Sequence, residues 1–279
     1  VGAGGTNALT RTNYITVTNY PPPLADFTAD VTNGLAPLAV TFTNLSANAT
    51  DFAWDFGDGN TSTSANPLNT YSNAGSFTVT LTAVGAGGTN VFTRTNYILV
   101  LSPAQLLVSP ASLDLGNVLT GRLAYASFVI TNAGSVTLSA TATVALAPFG
   151  LLDDASNAVA SVAFDVPVLG ATNLVVRFAP EDAGAFSNTV IFASNGGNST
   201  NALAGTGVGA PLILSALGGV DFTFAFDTFA GLTYVVQFKD SLDDPVWQTL
   251  QTVPGDGTQK IITNSIATPE QRFYRLRVE

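Results

Sequence analysis

Cysteine, histidine and methionine are absent from all 279 residues. That excludes disulfides, thiolate and imidazole metal sites, and histidine-based acid–base chemistry. It also removes the readily oxidised sulfur groups, which suits an exposed extracellular life. Charge is scarce as well, at 10% of residues against about a quarter in ordinary globular chains. The few charges sum to −10, and the nine basic residues are scattered. A nucleic-acid binder needs clustered Lys and Arg to replace the counterions on phosphate, so nucleic acid is excluded as a partner. The same shortage speaks against an anionic membrane surface. No apolar run approaches the roughly 20 residues of a membrane helix, so no helical membrane insertion is expected.

What remains is apolar residues at 46%, with 26 glycines and 14 prolines as dense punctuation. Thr, Ser and Asn must supply most of the polar surface. They suit exposed strands and turns and suit helix interiors poorly. The composition is therefore all-β, and the length allows two or three domains.

Without His or Cys, catalysis would fall to paired carboxylates or to a Ser–Lys pair. The only lysines are Lys239 and Lys260, and neither lies in a Ser-x-x-Lys motif. Asp153-Asp154 and Asp240/Asp243/Asp244 sit in segments that read as loops. They read as solvated turns, which leaves weak calcium binding as the only cofactor chemistry to consider. Gly85–Gly88 joins strand to strand with no helix following, so it is a hairpin turn and not a phosphate loop. No catalytic residue and no metal ligand set is assigned. The chain is expected not to be an enzyme.

An internal repeat dominates the organisation. Residues 1–17 read VGAGGTNALTRTNYITV and residues 84–100 read VGAGGTNVFTRTNYILV, matching at fourteen of seventeen positions with an offset of 83. A fixed period of this size marks tandem domains. By strand alternation Ile15 and Val17 repeat the face made by Ile98 and Val100, while Leu99 on the other face becomes Thr16. The second copy ends a domain and the first has none before it. A precursor with a further repeat upstream is therefore expected, its leader already removed.

Residues 24–101 resemble a polycystic-kidney-disease (PKD) domain. The carriers are Trp54-Asp55-Phe56-Gly57-Asp58-Gly59, Pro37–Phe42, Asn66-Pro67, Tyr71 and Ala74–Leu81. Physically, Trp54 is expected to anchor the core, and Asp58-Gly59 to make a tight turn with positive φ. The resemblance implies that Asp55 and Asp58 brace turns through backbone N–H groups. It also makes residues 1–19 an orphan last (G-type) strand of a preceding PKD-like repeat, followed by a proline linker at 20–23.

Residues 105–209 resemble the immunoglobulin-like domains of abnormal-spindle and hydin proteins. Val108-Ser109-Pro110, Leu113–Gly116, Phe128–Gly134, Val175–Pro180, Gly184 and Ala204–Gly207 carry that likeness. Residues 210–279 look like terminal modules of large planctomycete- and verrucomicrobium-type bacterial surface proteins, on Gly231–Gln237, Trp247 and Arg272–Arg275. There Trp247 and Tyr274 are read as core residues rather than a sugar platform. Short stiff linkers then join tandem immunoglobulin-like β-sandwiches into an elongated rod.

Together these features predict a secreted, non-catalytic structural protein of the cell surface or an extracellular filament. Its partners would be copies of itself in a head-to-tail polymer. The assembly strand would carry Ala8, Thr10, Thr12, Tyr14, Ile15 and Val17, adding to a neighbour by strand complementation. The alternative is a spacer or a glycan- or protein-binding region of a large secreted hydrolase or adhesin. A weaker reading makes residues 210–279 a sorting or anchoring signal.

Overall fold

The computed structural model describes residues 4, 9–12, 17–145, 147–218, 221–265 and 271–279. Among these every regular element is a β strand, and there is no helix long and apolar enough to cross a membrane. Contacts divide the chain into two units, residues 1–103 and 104–279.

The first unit holds a sandwich of two sheets. One has three strands in the order Phe27–Ala29, Leu38–Asn44, Leu68–Tyr71. The other has five, in the order Asn33–Leu35, Gly88–Leu101, Gly75–Gly85, Asp51–Asp55, Thr61–Ser62. Period-two alternation decides which side chains meet inside. Val40 and Phe42 are buried while Thr41 is exposed, and Val79, Leu81 and Ala83 point inward along Gly75–Gly85. Trp54 lies among Phe27, Phe42 and Phe56 with ring centroids 5.2, 5.6 and 6.2 Å away. Its indole N–H donates to the Ser64 carbonyl at 2.9 Å, so the buried ring leaves no polar atom unpaired.

Gly57 shows why this turn demands glycine. Its φ is +77°, and a Cβ there would sit 2.4 Å from the Thr78 carbonyl oxygen.

The second unit contains two sandwiches with separate cores. The larger pairs a sheet ordered Ser112–Leu119, Gly197–Val208, Gly184–Ser194, Leu138–Val144, Ser161–Val166 with one ordered Ala158–Val159, Phe149–Leu152, Ala171–Phe178, Ala124–Asn132, Leu106–Ser109. Phe128, Phe149, Phe178 and Phe192 fill its centre. Asn132 is fully buried and ties loops together from inside. Its Nδ2 donates to the carbonyls of Val136, Val166 and Pro167, and its Oδ1 accepts from the N–H of Gln105 and Gly134.

The smaller sandwich packs the sheet Ile213–Gly218, Asp221–Asp227, Gln259–Ser265 on the sheet Gln248–Pro254, Thr233–Lys239, Phe273–Val278. Phe224, Phe226, Tyr234 and Val236 make its core.

Candidate functional site

The strand Gly88–Leu101 is the element that the repeated segment copies, so its setting defines what that sequence is built to do. It lies between Asn33–Leu35, which runs parallel to it, and Gly75–Gly85, which runs antiparallel. Ile98 and Val100 enter the core, while Leu99 is exposed. The Arg-Thr-Asn-Tyr motif common to both copies makes a bulge here. Phe77 pairs with Ile98 and Val79 with Arg94, so Thr95, Asn96 and Tyr97 stand opposite Thr78 alone. Asn96 takes a left-handed φ of 51°, which Asn tolerates better than most residues, and its N–H donates to Thr78 Oγ1 at 3.1 Å. The bulge throws Tyr97 back over the core, where its hydroxyl accepts from the Ala29 N–H at 3.1 Å. The Arg94 guanidinium then lies 5.4, 5.2 and 5.0 Å from the rings of Phe27, Phe92 and Tyr97 and meets Asp26 at 3.4 Å.

Of the residues expected in an N-terminal assembly strand, Ala8, Tyr14 and Ile15 lie outside the described residues. Thr10 and Val17 are exposed and belong to no strand, and Thr12 sits in a turn.

The Trp-Asp-Phe-Gly-Asp-Gly motif forms a polar cap beside the core. Asp55 Oδ1 accepts from the Gly57 N–H and Asp58 Oδ1 from the Asn60 N–H, each at 2.9 Å. Asp58 Oδ2 also takes the side-chain amides of Asn60 and Asn69 at 3.0 and 2.8 Å. Below them the buried Tyr71 hydroxyl donates to the Phe56 carbonyl at 3.1 Å. Burial, with the nearby Asp58 and Asp55 charges adding to it, pushes the Tyr71 phenol up to about 12.

The other acidic loops behave similarly. Asp153 accepts from the N–H groups of Ala155 and Asn157, and the Asn157 bond holds its carboxyl below the usual range. Among the described residues no three acidic side chains converge as a metal site requires. The outer face of the five-stranded sheet of the first unit forms a shallow depression lined by Ala53, Trp54, Asp55, Thr61, Ser62, Thr63, Thr80 and Thr82.

In the last sandwich Tyr274 packs on the core and stacks on Phe222 at 4.9 Å. Trp247 departs from the core position expected of it. It is half-buried on the outer face of its sheet, 5.2 Å from Lys239 Nζ and 4.5 Å from the Arg275 guanidinium. The loop ahead of Gln248–Pro254 carries the ring under the two cationic heads, where the negative face of the indole attracts both.

Comparison with known proteins decides the first sandwich: the family model described as "PKD domain" matches residues 19–100. Residues 19–100 belong to the PKD domain family. The PKD1 domain of Vibrio anguillarum Epp is 34% identical, with 29% of this chain and 98% of that one covered and a TM-score of 0.26. The PKD1 domain of the Vibrio cholerae metalloprotease PrtV is 36% identical, with 27% and 95% covered and a TM-score of 0.24. An ASH/PapD-like domain of human CEP192 is 12% identical, with 39% and 88% covered and a TM-score of 0.32. No curated protein matches the chain. In the PKD sandwich, Gly88–Leu101 is thus the closing strand, and residues 1–17 are written in the same pattern.

Proposed function

We propose that this chain is a non-catalytic, extracellular structural protein whose N-terminal segment joins it to a second PKD sandwich by strand complementation. The observation that carries the reading is the match between residues 1–17 and the closing strand. The core-facing Ile98 and Val100 recur as Ile15 and Val17, and the bulge motif Arg94–Tyr97 recurs at positions 11–14. Two of the three differences fall on exposed positions: Val91, which becomes Ala8, and Leu99, which becomes Thr16. Only Phe92, replaced by Leu9, faces the core, where its ring lies 5.6 Å from Phe27. A segment this similar fills the closing-strand slot at a cost of about 1 kcal/mol relative to the resident strand.

In the sandwich described above that slot is occupied by Gly88–Leu101, so a copy of this chain serves as acceptor by exchanging its own strand. Repetition of the contact links copies head to tail. Removing residues 1–19 should weaken concentration-dependent assembly in sedimentation velocity; undiminished assembly would contradict the proposal. A glycan-binding role has weaker support, because the depression on the outer face presents threonines, and the ring of its one aromatic residue, Trp54, is buried in the core.

A further inference from the structure

A second feature of the molecule also points to contact between copies, and it does not involve residues 1–19. In the unit 104–279, a groove of about 510 Å³ lies where the turn after Ser112–Leu119 faces the start of Thr233–Lys239 and the end of Phe273–Val278. Its walls are apolar, with Leu115, Leu123, Leu232 and Val278, and Leu123 is 51% exposed. Asn117 Nδ2 donates to the Ala230 carbonyl at 2.8 Å and fixes the two sides against each other. Two guanidiniums line the rim. Arg277 is paired with Glu279, and among the described residues Arg122 has no ionic partner. In a chain of net charge −10 this rim is an unusual place to find two arginines.

At the opposite end of the same sheet is a shape that suits the groove. The loop between Thr233–Lys239 and Gln248–Pro254 reads Asp240-Ser-Leu-Asp-Asp-Pro-Val-Trp247. Leu242 is 64% and Val246 67% exposed, and exposed Asp243 lies between them in sequence. The loop is braced internally. Asp244 Oδ2 accepts from the Ser241 N–H at 3.1 Å, Ser241 Oγ accepts from the Asp243 N–H at 3.2 Å, and Lys239 Nζ donates to the Asp244 carbonyl. The apolar pair is therefore presented on a firm support, so little ordering entropy is lost on binding. Thr233–Lys239 runs between the two features, and seven residues of strand separate them by roughly 20 Å. One chain thus carries an apolar, acidic knob and an apolar, arginine-rimmed groove at opposite ends of one sheet.

We infer that the loop 241–246 of one copy docks in the groove of the next, with Leu242 and Val246 against Leu115, Leu123, Leu232 and Val278 and Asp243 facing Arg122. Knob and groove are different surfaces, so the contact is heterologous and propagates head to tail. It is independent of the strand proposal and survives if that proposal fails.

The test is sedimentation velocity of the full chain over a wide concentration range, with circular dichroism as the check on folding. Leu242→Asp and Leu123→Asp, both at exposed positions, should each weaken association at least tenfold. Mixing the two variants, each also lacking residues 1–19, should restore a single contact and stop at dimers, since one keeps the groove and the other the knob. Arg122→Asp and Asp243→Arg should each weaken association about threefold, and a chain carrying both should recover it. The chain lacking residues 1–19 should still associate through the knob. A wild-type chain that stays monomeric, or a Leu242→Asp chain that associates like wild type, overturns the inference. Association lost on removing residues 1–19 but untouched by Leu242→Asp also overturns it, and supports the strand proposal instead.

Discussion

Tyr71→Phe tests how the PKD sandwich is held together at its polar cap. At neutral pH the variant loses the bond from the buried hydroxyl to the Phe56 carbonyl. That should cost about 1 kcal/mol, the net worth of a neutral buried hydrogen bond. The pH dependence carries more information. Burial raises the folded phenol to about 12, against about 10 in an unfolded chain. A group raised in this way contributes stability in full below pH 10 and loses it as pH climbs through 12. At pH 11 the wild type should have lost about 1.4 kcal/mol from this residue alone. The phenylalanine variant has no such group to titrate. The two stability curves should therefore start about 1 kcal/mol apart at pH 7 and meet near pH 11. Urea unfolding followed by fluorescence in a Trp247→Phe background isolates this sandwich, because Trp54 is then the one remaining tryptophan. Equal stability at pH 7, or parallel alkaline limbs for both proteins, would refute the reasoning.

Trp54→Ala should cost about 3–5 kcal/mol and unfold the PKD sandwich first, seen as loss or separation of one calorimetric transition. Gly57→Ala should cost about 2 kcal/mol in the same transition, because φ is positive and the new methyl meets the Thr78 carbonyl. Asn132→Ala strands the partners of five hydrogen bonds made by a buried side chain and should remove about 3 kcal/mol from the larger sandwich of the second unit, leaving the PKD transition in place. Millimolar calcium should leave the melting profile unchanged, since Asp55, Asp58 and Asp153 already spend their oxygens on turn amides; a rise in either transition would show that these loops hold a cation.

The all-β fold was legible because its signals are local. Alternation in Leu38–Asn44 and Gly75–Gly85 names the buried residues directly, and the glycine and aspartate turns need only their neighbours. The PKD family was legible from the Trp54–Gly59 motif and its surroundings. Other features depend on residues far apart in sequence. Both copies of the repeat carry Arg-Thr-Asn-Tyr, but its role as a bulge caging Arg94 under Phe27, Phe92 and Tyr97 needs the partner strands in place. Trp247 was misread because an isolated tryptophan in an apolar-rich chain reads as core. Its true neighbours, Lys239 and Arg275, are polar heads on long apolar stems, brought together only by the sheet. The groove between Leu115 and Val278 joins segments more than 150 residues apart and has no signature in either one.

The central claim is that residues 1–17 act as a PKD closing strand, and the absence of native cysteine makes a direct measurement available. Thr10 corresponds to Thr93, whose cross-strand partner is Thr80, with the two hydroxyls 3.0 Å apart. One preparation carries Thr10→Cys and a second carries Thr80→Cys, and the two are refolded together and oxidised. The account predicts a disulfide joining position 10 of one copy to position 80 of another, as a crosslinked species on a non-reducing gel. Crosslinking no greater than to a cysteine placed at exposed Ser187 would contradict it.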